Sequence, residues 1–233
     1  MASIEILDRA SLLAGLHKEL HLDAKETALV TIDMHRGHLD MDVATMPATP
    51  EDAKRVTRNA RAALDFARAR EIPVIHVILV YRKIKNIGSE GMLSPYWKAI
   101  HAQGEMDRLT PGRKSSVREH NVEGSPGTQI VPELYRVGDY VIDNKKRLDC
   151  FYGTDLRQLL DALSVKSVVL MGINTNTCVL NTAFTTPACS TPHSPRSISI
   201  TAWSCCPSAW RACTATTCTC WGCRTSRAAS AGS

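Results

Sequence analysis

Four short apolar runs mark the first 186 residues, at positions 28–32, 72–80, 140–143 and 166–171. Runs this brief, apolar without alternation, are the pattern of strands buried on both faces of a parallel sheet. Between them lie stretches with helical spacing. Thr49, Pro50, Glu51 and Asp52 open a helix running to about Arg70, with Val56, Ala60, Ala63, Leu64 and Ala67 on one face. Thr154 is placed to cap a second helix, whose buried face is Leu156, Leu159, Leu160 and Leu163. Strands alternating with helices predict an α/β fold, a doubly wound parallel sheet flanked by helices. An amphipathic helix over 8–21 and a short one over 130–134 are also expected. Residues 81–127 form a long connection of the kind that serves as a lid or binding loop. Its aromatic residues, Tyr96 and Trp97, are positioned to wall a pocket or to pack the loop down.

The chemistry gathers where the runs end. Asp33 follows the first, Lys145 lies just past the third, and Cys178 follows the fourth after Gly172 and a short polar loop. Parallel strands bring their C-terminal ends together, so the three side chains are expected to share a pocket. A thiol at a strand-to-helix junction gains acidity from the helix N-terminus, and the backbone amides there can hold an oxyanion. Acid, ammonium and thiol together suit nucleophilic catalysis: the carboxylate takes the thiol proton and the ammonium favours thiolate. The residues alone leave plainer roles open. Asp33 also suits a turn or helix cap, Lys145 a solvated loop charge, and Cys178 an inert core thiol. His76, inside the second run, is expected to be a satisfied core histidine rather than a ligand.

Asp33 at the end of the first strand, Lys145 nine residues before Thr154, and the loop from Gly172 through Ile173, Asn174, Thr175, Asn176 and Thr177 to Cys178 resemble the isochorismatase-like cysteine hydrolase family. The likeness covers about residues 25–186. It implies a catalytic triad of Asp33, Lys145 and Cys178, and a cis peptide between Ile173 and Asn174. That bend would turn the Asn174 amide, with that of Cys178, toward an oxyanion. It also implies hydrolysis of a C–N bond in a small amide, carbamoyl or ureido compound through a thioester, with homo-oligomerisation. Vinyl-ether hydrolysis, or a catalytically impaired chain acting as a binding protein, are the alternatives. Cys178 favours C–N chemistry, because the family's true isochorismatases lack the cysteine.

Several positions depart from the family's habit. His35 stands where Gln is common, His38 where an aromatic is, and Asp149 and Cys150 where Ser and Ala are. Nicotinamidases of this family carry a metal-binding Asp/His set after the second strand; here Tyr81, Arg82 and Lys83 follow instead. His35 and His38 are three apart with no evident third ligand, so no metal and no cofactor are expected. Arg36, His38 and Tyr152, with Tyr96 and Trp97, are the expected substrate-binding residues.

Charge and cysteine content divide the chain at about residue 186. The net charge is +5, yet residues 187–233 hold four arginines and no Asp, Glu or Lys. The first 186 residues, with 24 basic and 23 acidic side chains, are nearly neutral, which argues against a nucleic-acid partner. Cys150 and Cys178 are the two cysteines of this body; seven more crowd the last 47 residues. Two cysteines without a secretory leader suggest a reduced, cytoplasmic protein. No apolar stretch approaches the roughly 18–20 residues of a membrane span.

Residues 187–233 lack apolar periodicity and read as an aberrant Cys/Ser/Thr-rich tail, expected to be disordered and to disrupt the last strands and helix of the sheet. A cysteine codon begins TG; read one base earlier it becomes NTG, which encodes Leu, Met or Val. In that frame Cys213, Cys218, Cys220, Trp221 and Cys223 all turn apolar, and a helical pattern emerges over 211–224. The composition fits a frame displaced near residues 186–187 better than the alternative, a genuine appendage with a metal or disulfide knot at Cys218, Cys220 and Cys223, whose spacing is irregular and from which His193 is remote. The domain reading is therefore a hydrolase domain over 1–186 and a tail over 187–233.

Overall fold

The computed structural model describes residues 22–85, 95, 98–99, 116 and 118–185, and the backbone of 197–200. The expected helix over 8–21, Tyr96, Trp97 and most of residues 187–233 lie outside the described residues. Five parallel strands form one sheet in the order β3-β2-β1-β4-β5. They are β1 (Thr27–Ile32), β2 (Val74–Leu79), β3 (Tyr140–Lys145), β4 (Ser167–Gly172) and β5 (Ser197–Ile200). The helices are α1 (Arg36–Leu39), α2 (Pro50–Arg68), α3 (Leu156–Ala162) and α4 (Leu180–Thr185).

Every residue of β1 and β2 is buried, which explains why their sequences read as continuous apolar runs. Successive side chains of a strand point to opposite faces, so β1 supplies two cores. Ala28, Val30 and Ile32 pack with Leu156 and Leu160 of α3 and with Ala183 of α4. Leu29 packs with Val56, Ala60, Leu64 and Ala67 of α2. The start of α2 matches its sequence signal: the Thr49 hydroxyl accepts the Asp52 N–H at 3.2 Å, and Pro50 takes the first turn. His76 is the expected core histidine, bonded to the Thr31 hydroxyl at 2.7 Å and the Asp139 carboxylate at 3.2 Å.

Three local expectations are corrected. Residues 130–134 form no helix: Ile130 is extended and bridges His35, and a single turn closes from Val131 to Leu134. Thr154 lies one residue outside the cap of α3, although its hydroxyl still accepts the Leu156 N–H at 3.3 Å. Lys145 is no loop residue, because β3 runs two residues beyond the apolar run and pairs Lys145 with Leu79.

The chain runs outward from β1 through β2 to β3, then returns to the other side of β1 for β4. That reversal opens a crevice between the C-terminal ends of β1 and β4, where open α/β sheets hold ligands. Ile32 and Gly172 pair across it, and a Cβ on Gly172 would lie 2.1 Å from the Ile32 carbonyl oxygen. Glycine is required there, and it lets the loop after β4 leave close against Asp33.

Candidate active site

Asp33 is the first residue past β1 and holds a left-handed φ of 53°, a region in which Asp is more tolerated than most residues. Its N–H reaches the Val77 carbonyl at 2.9 Å. One carboxylate oxygen accepts the Leu79 N–H at 2.8 Å, and the other accepts the Lys145 ammonium. Lys145 is fully buried at the end of β3. Burial by itself would lower its pKa, but the neighbouring Asp33 carboxylate outweighs that and raises it above the ordinary lysine value. Lys145 is therefore a fixed cation.

Past β4 the Ile173–Asn174 peptide is cis, as the resemblance implied. Residues Thr175–Val179 then form a π-helical turn that carries Cys178 before α4 begins. Cys178 is buried and lines the same cavity as Asp33. Its acidity corrects the sequence expectation: desolvation first, and then the Asp33 charge, push the thiol above its usual value, while Lys145 pulls it down. The resting group is a thiol beside a carboxylate. Cys150 is a free core thiol pushed up to about 12 by burial, and its N–H donates to the Thr182 hydroxyl at 3.1 Å.

Asp33, Asn174 and Cys178 line one cavity with His38, Tyr81, His120 and Asn121. Its volume is about 20 Å³, on the scale of one or two water molecules. Asn121 is buried, and among the described residues neither end of its amide has a hydrogen-bond partner, so it offers a donor and an acceptor to an occupant.

The expected substrate-binding residues separate. His38 lines the cavity. Arg36 does not: its guanidinium is engaged by Asp40 at 2.7 Å and Gln129 at 2.8 Å, and it borders a different cleft beside α2. Tyr152 is exposed and stands away from the cavity lining. His120 and Asn121 were missed in the sequence because they sit in the long connection after β2 without apolar context. They reach the site because Tyr81 donates its N–H to the Asn121 carbonyl at 2.6 Å and bridges Val122 in parallel.

His120 also supplies what the pair His35 and His38 lacked. The three imidazoles are buried, and one ring nitrogen from each lies within 4.8 Å of the others. All three pKa values are lowered, by burial first, so the rings are neutral. After β2, where nicotinamidases were noted to carry a metal-binding set, the described residues are Val80, Tyr81, Arg82 and Lys83, which do not fit one.

A parallel sheet with a thiol, a carboxylate and an ammonium at its switch point defines an α/β protein built for hydrolytic nucleophilic chemistry. The chain belongs to the isochorismatase family, whose domain matches residues 27–186. It is 28% identical over 162 residues to the ureidoacrylate amidohydrolase RutB of Agrobacterium fabrum, covering 68% of each chain. RutB of Acinetobacter baylyi is 26% identical, over 70% of this chain and 65% of that protein. The chain thus spans about two thirds of the length of these curated relatives. The fold is shared with a cysteine hydrolase from Pseudomonas syringae pv. phaseolicola, at a TM-score of 0.54 and 18% identity over 71% of this chain and 68% of that one. Nicotinamidase/pyrazinamidase PncA from Bacillus subtilis shares it at 0.53 and 18%, over 75% and 83%.

Proposed function

We propose that this hydrolase cleaves the C–N bond of a small amide, carbamoyl or ureido compound, with Asp33, Lys145 and Cys178 as its catalytic residues. The observation that carries the reading is that the Cys178 thiol lines one cavity with a carboxylate that also holds a buried ammonium. The Cys178 sulfur attacks the carbonyl carbon while its proton passes to Asp33. The backbone amides of Asn174 and Cys178 receive the oxyanion. Asp33 then hands the proton to the departing amine or ammonia as the C–N bond breaks, leaving a thioester. Water deprotonated by Asp33 attacks the thioester, and the proton returns to sulfur as the acid departs. Lys145 holds Asp33 in place and keeps a positive charge beside sulfur throughout. The unpartnered Asn121 amide is complementary to the C=O and N–H of an amide or ureide, which supports this substrate class over an ether.

RutB proteins, by name, act on ureidoacrylate, so short ureido acids head the compounds to test. We also assign the protein to the cytoplasm as a homo-oligomer, on its two free body cysteines and on family likeness. No helix among the described residues is long and apolar enough to cross a membrane. A screen of small amides and ureides for ammonia release by the full chain tests the activity. Cys178→Ala is expected to lose about 10⁴-fold or more in kcat, and the unmodified chain to trap an acyl group on Cys178 visible by mass spectrometry. Unchanged turnover in Cys178→Ala would overturn the mechanism. Light scattering in solution tests the assembly.

A further inference from the structure

We propose that His35, His38 and His120 bind a divalent transition-metal ion of borderline softness, zinc(II) or one of similar preference, beside the active-site cavity. Three neutral imidazoles are a ligand set of this class, and a four-coordinate ion would keep one position for water. Two of the rings are already arranged for it. The Nδ1 of His38 lies 2.8 Å from the Met46 carbonyl oxygen, and the Nδ1 of His120 lies 2.9 Å from the Thr45 hydroxyl. The Met46 carbonyl can only accept, so it fixes the proton on Nδ1 of His38 and leaves Nε2 to ligate; the Thr45 hydroxyl can accept from Nδ1 of His120 in the same way. Both rings are held by one short segment, Thr45 and Met46, although they come from positions 82 residues apart.

His35 makes the case independent of those two. It is completely buried, and neither ring nitrogen has a hydrogen-bond partner in another of the described residues. A buried polar group in that condition costs free energy unless something else satisfies it. Its ring stacks on His38 at 4.7 Å with the planes 17° apart, and both rings meet His120 at 5.5 and 4.6 Å between centroids. Imidazole binds a metal in its own plane, so one of the stacked rings must turn. His35 can do so without surrendering a bond to any neighbour. The charges around the cluster oppose one another: Lys145 disfavours a cation there, and Asp33 favours one. Their own pairing offsets most of the difference.

These ligands come from the turn after β1 and from the segment before Val122, not from the residues immediately after β2. The site is thus distinct in position from the Asp/His set of nicotinamidases, for which this chain has Tyr81, Arg82 and Lys83.

The test needs no substrate, so it stands or falls apart from the hydrolytic reading. The full chain, freed of any affinity tag and stripped with a chelator, is titrated with cobalt(II) and with zinc(II). Metal content is counted by mass spectrometry and cobalt is followed by its visible absorption. One ion per chain with the bands of a low-coordinate, nitrogen-bound cobalt is the expected result. His35→Gln and His120→Gln should each weaken binding by about 100-fold or more, beyond the 10–100-fold typical of outer-shell changes. Cys178→Ser should leave it unchanged. Should His120→Gln fail to fold, Thr45→Val provides the second reading, with weaker binding expected through the lost outer bond. A sulfur-to-cobalt charge-transfer band that vanishes in Cys178→Ser would assign the ion to the thiol and overturn the proposal. Absent uptake by a folded chain would also overturn it, as would equal affinity in the histidine variants.

Discussion

Cys178 shares a buried site with one carboxylate and one ammonium, and the balance between them sets its charge. Desolvation and Asp33 favour the thiol, Lys145 the thiolate, and the thiol wins. Alkylation of Cys178 by iodoacetamide should therefore be slow at pH 7 and accelerate through the alkaline range, read by mass spectrometry of the modified peptide. Asp33→Asn removes the negative charge and leaves Lys145, so the thiol pKa must fall. The variant should alkylate faster at pH 7 while losing about 10²–10⁴-fold in hydrolysis. Loss of hydrolysis with no gain in alkylation would mean that Asp33 acts only on the shape of the site. Strand-end positions made Asp33, Lys145 and Cys178 candidates in the sequence, and the family resemblance singled them out. The sign of the thiol shift was not legible there, because it depends on burial and on which charge lies nearer.

At the scale of elements, α2 was legible almost residue by residue. Thr49, Pro50 and the acids of the first turn mark its start, and its apolar stripe packs on the sheet. Leu64→Ala in that stripe should cost about 2–5 kcal/mol, and Thr49→Ala about 1 kcal/mol, both measured by urea unfolding. Comparable losses would mean that the cap, rather than the packed face, holds the helix. β3 was harder to bound. Its burial is intermittent, with Ile142 and Lys145 the buried positions, and the polar Asp143 and Asn144 sit at a register shift before pairing with β2 resumes at Lys145 and Leu79. Residues 130–134 have the composition of a helix, but the bridge from Ile130 to His35 holds the backbone extended there.

At the scale of the molecule, the family match ends at residue 186, beside the point where charge and cysteine content change. Ser197–Ile200 still adds β5 alongside β4. The reading of a displaced frame near residues 186–187 carries a definite expectation. Resequencing should find the shift, and the frame-restored protein should unfold at higher urea than the present chain, because it regains a helix with an apolar face. Equal midpoints would count against that reading.

Resemblance to a family singled out Asp33, Lys145 and Cys178, while the sequence by itself determined the α/β class and the alternation of strand and helix. Those follow from patterns that repeat within a few residues: apolar runs, helical periods, caps, and polar residues at strand ends. Only the tertiary structure decided which distant groups meet. Lys145 reaches Asp33 across two strand pairings, Arg36 is drawn away to Asp40 and Gln129, and His120 arrives beside His35 and His38 from a connection with no readable pattern. Local periodicity reports which face of an element is buried. It is silent on contacts between residues 80 or more positions apart, because these depend on strand order and on loops whose paths are set by partners elsewhere in the chain.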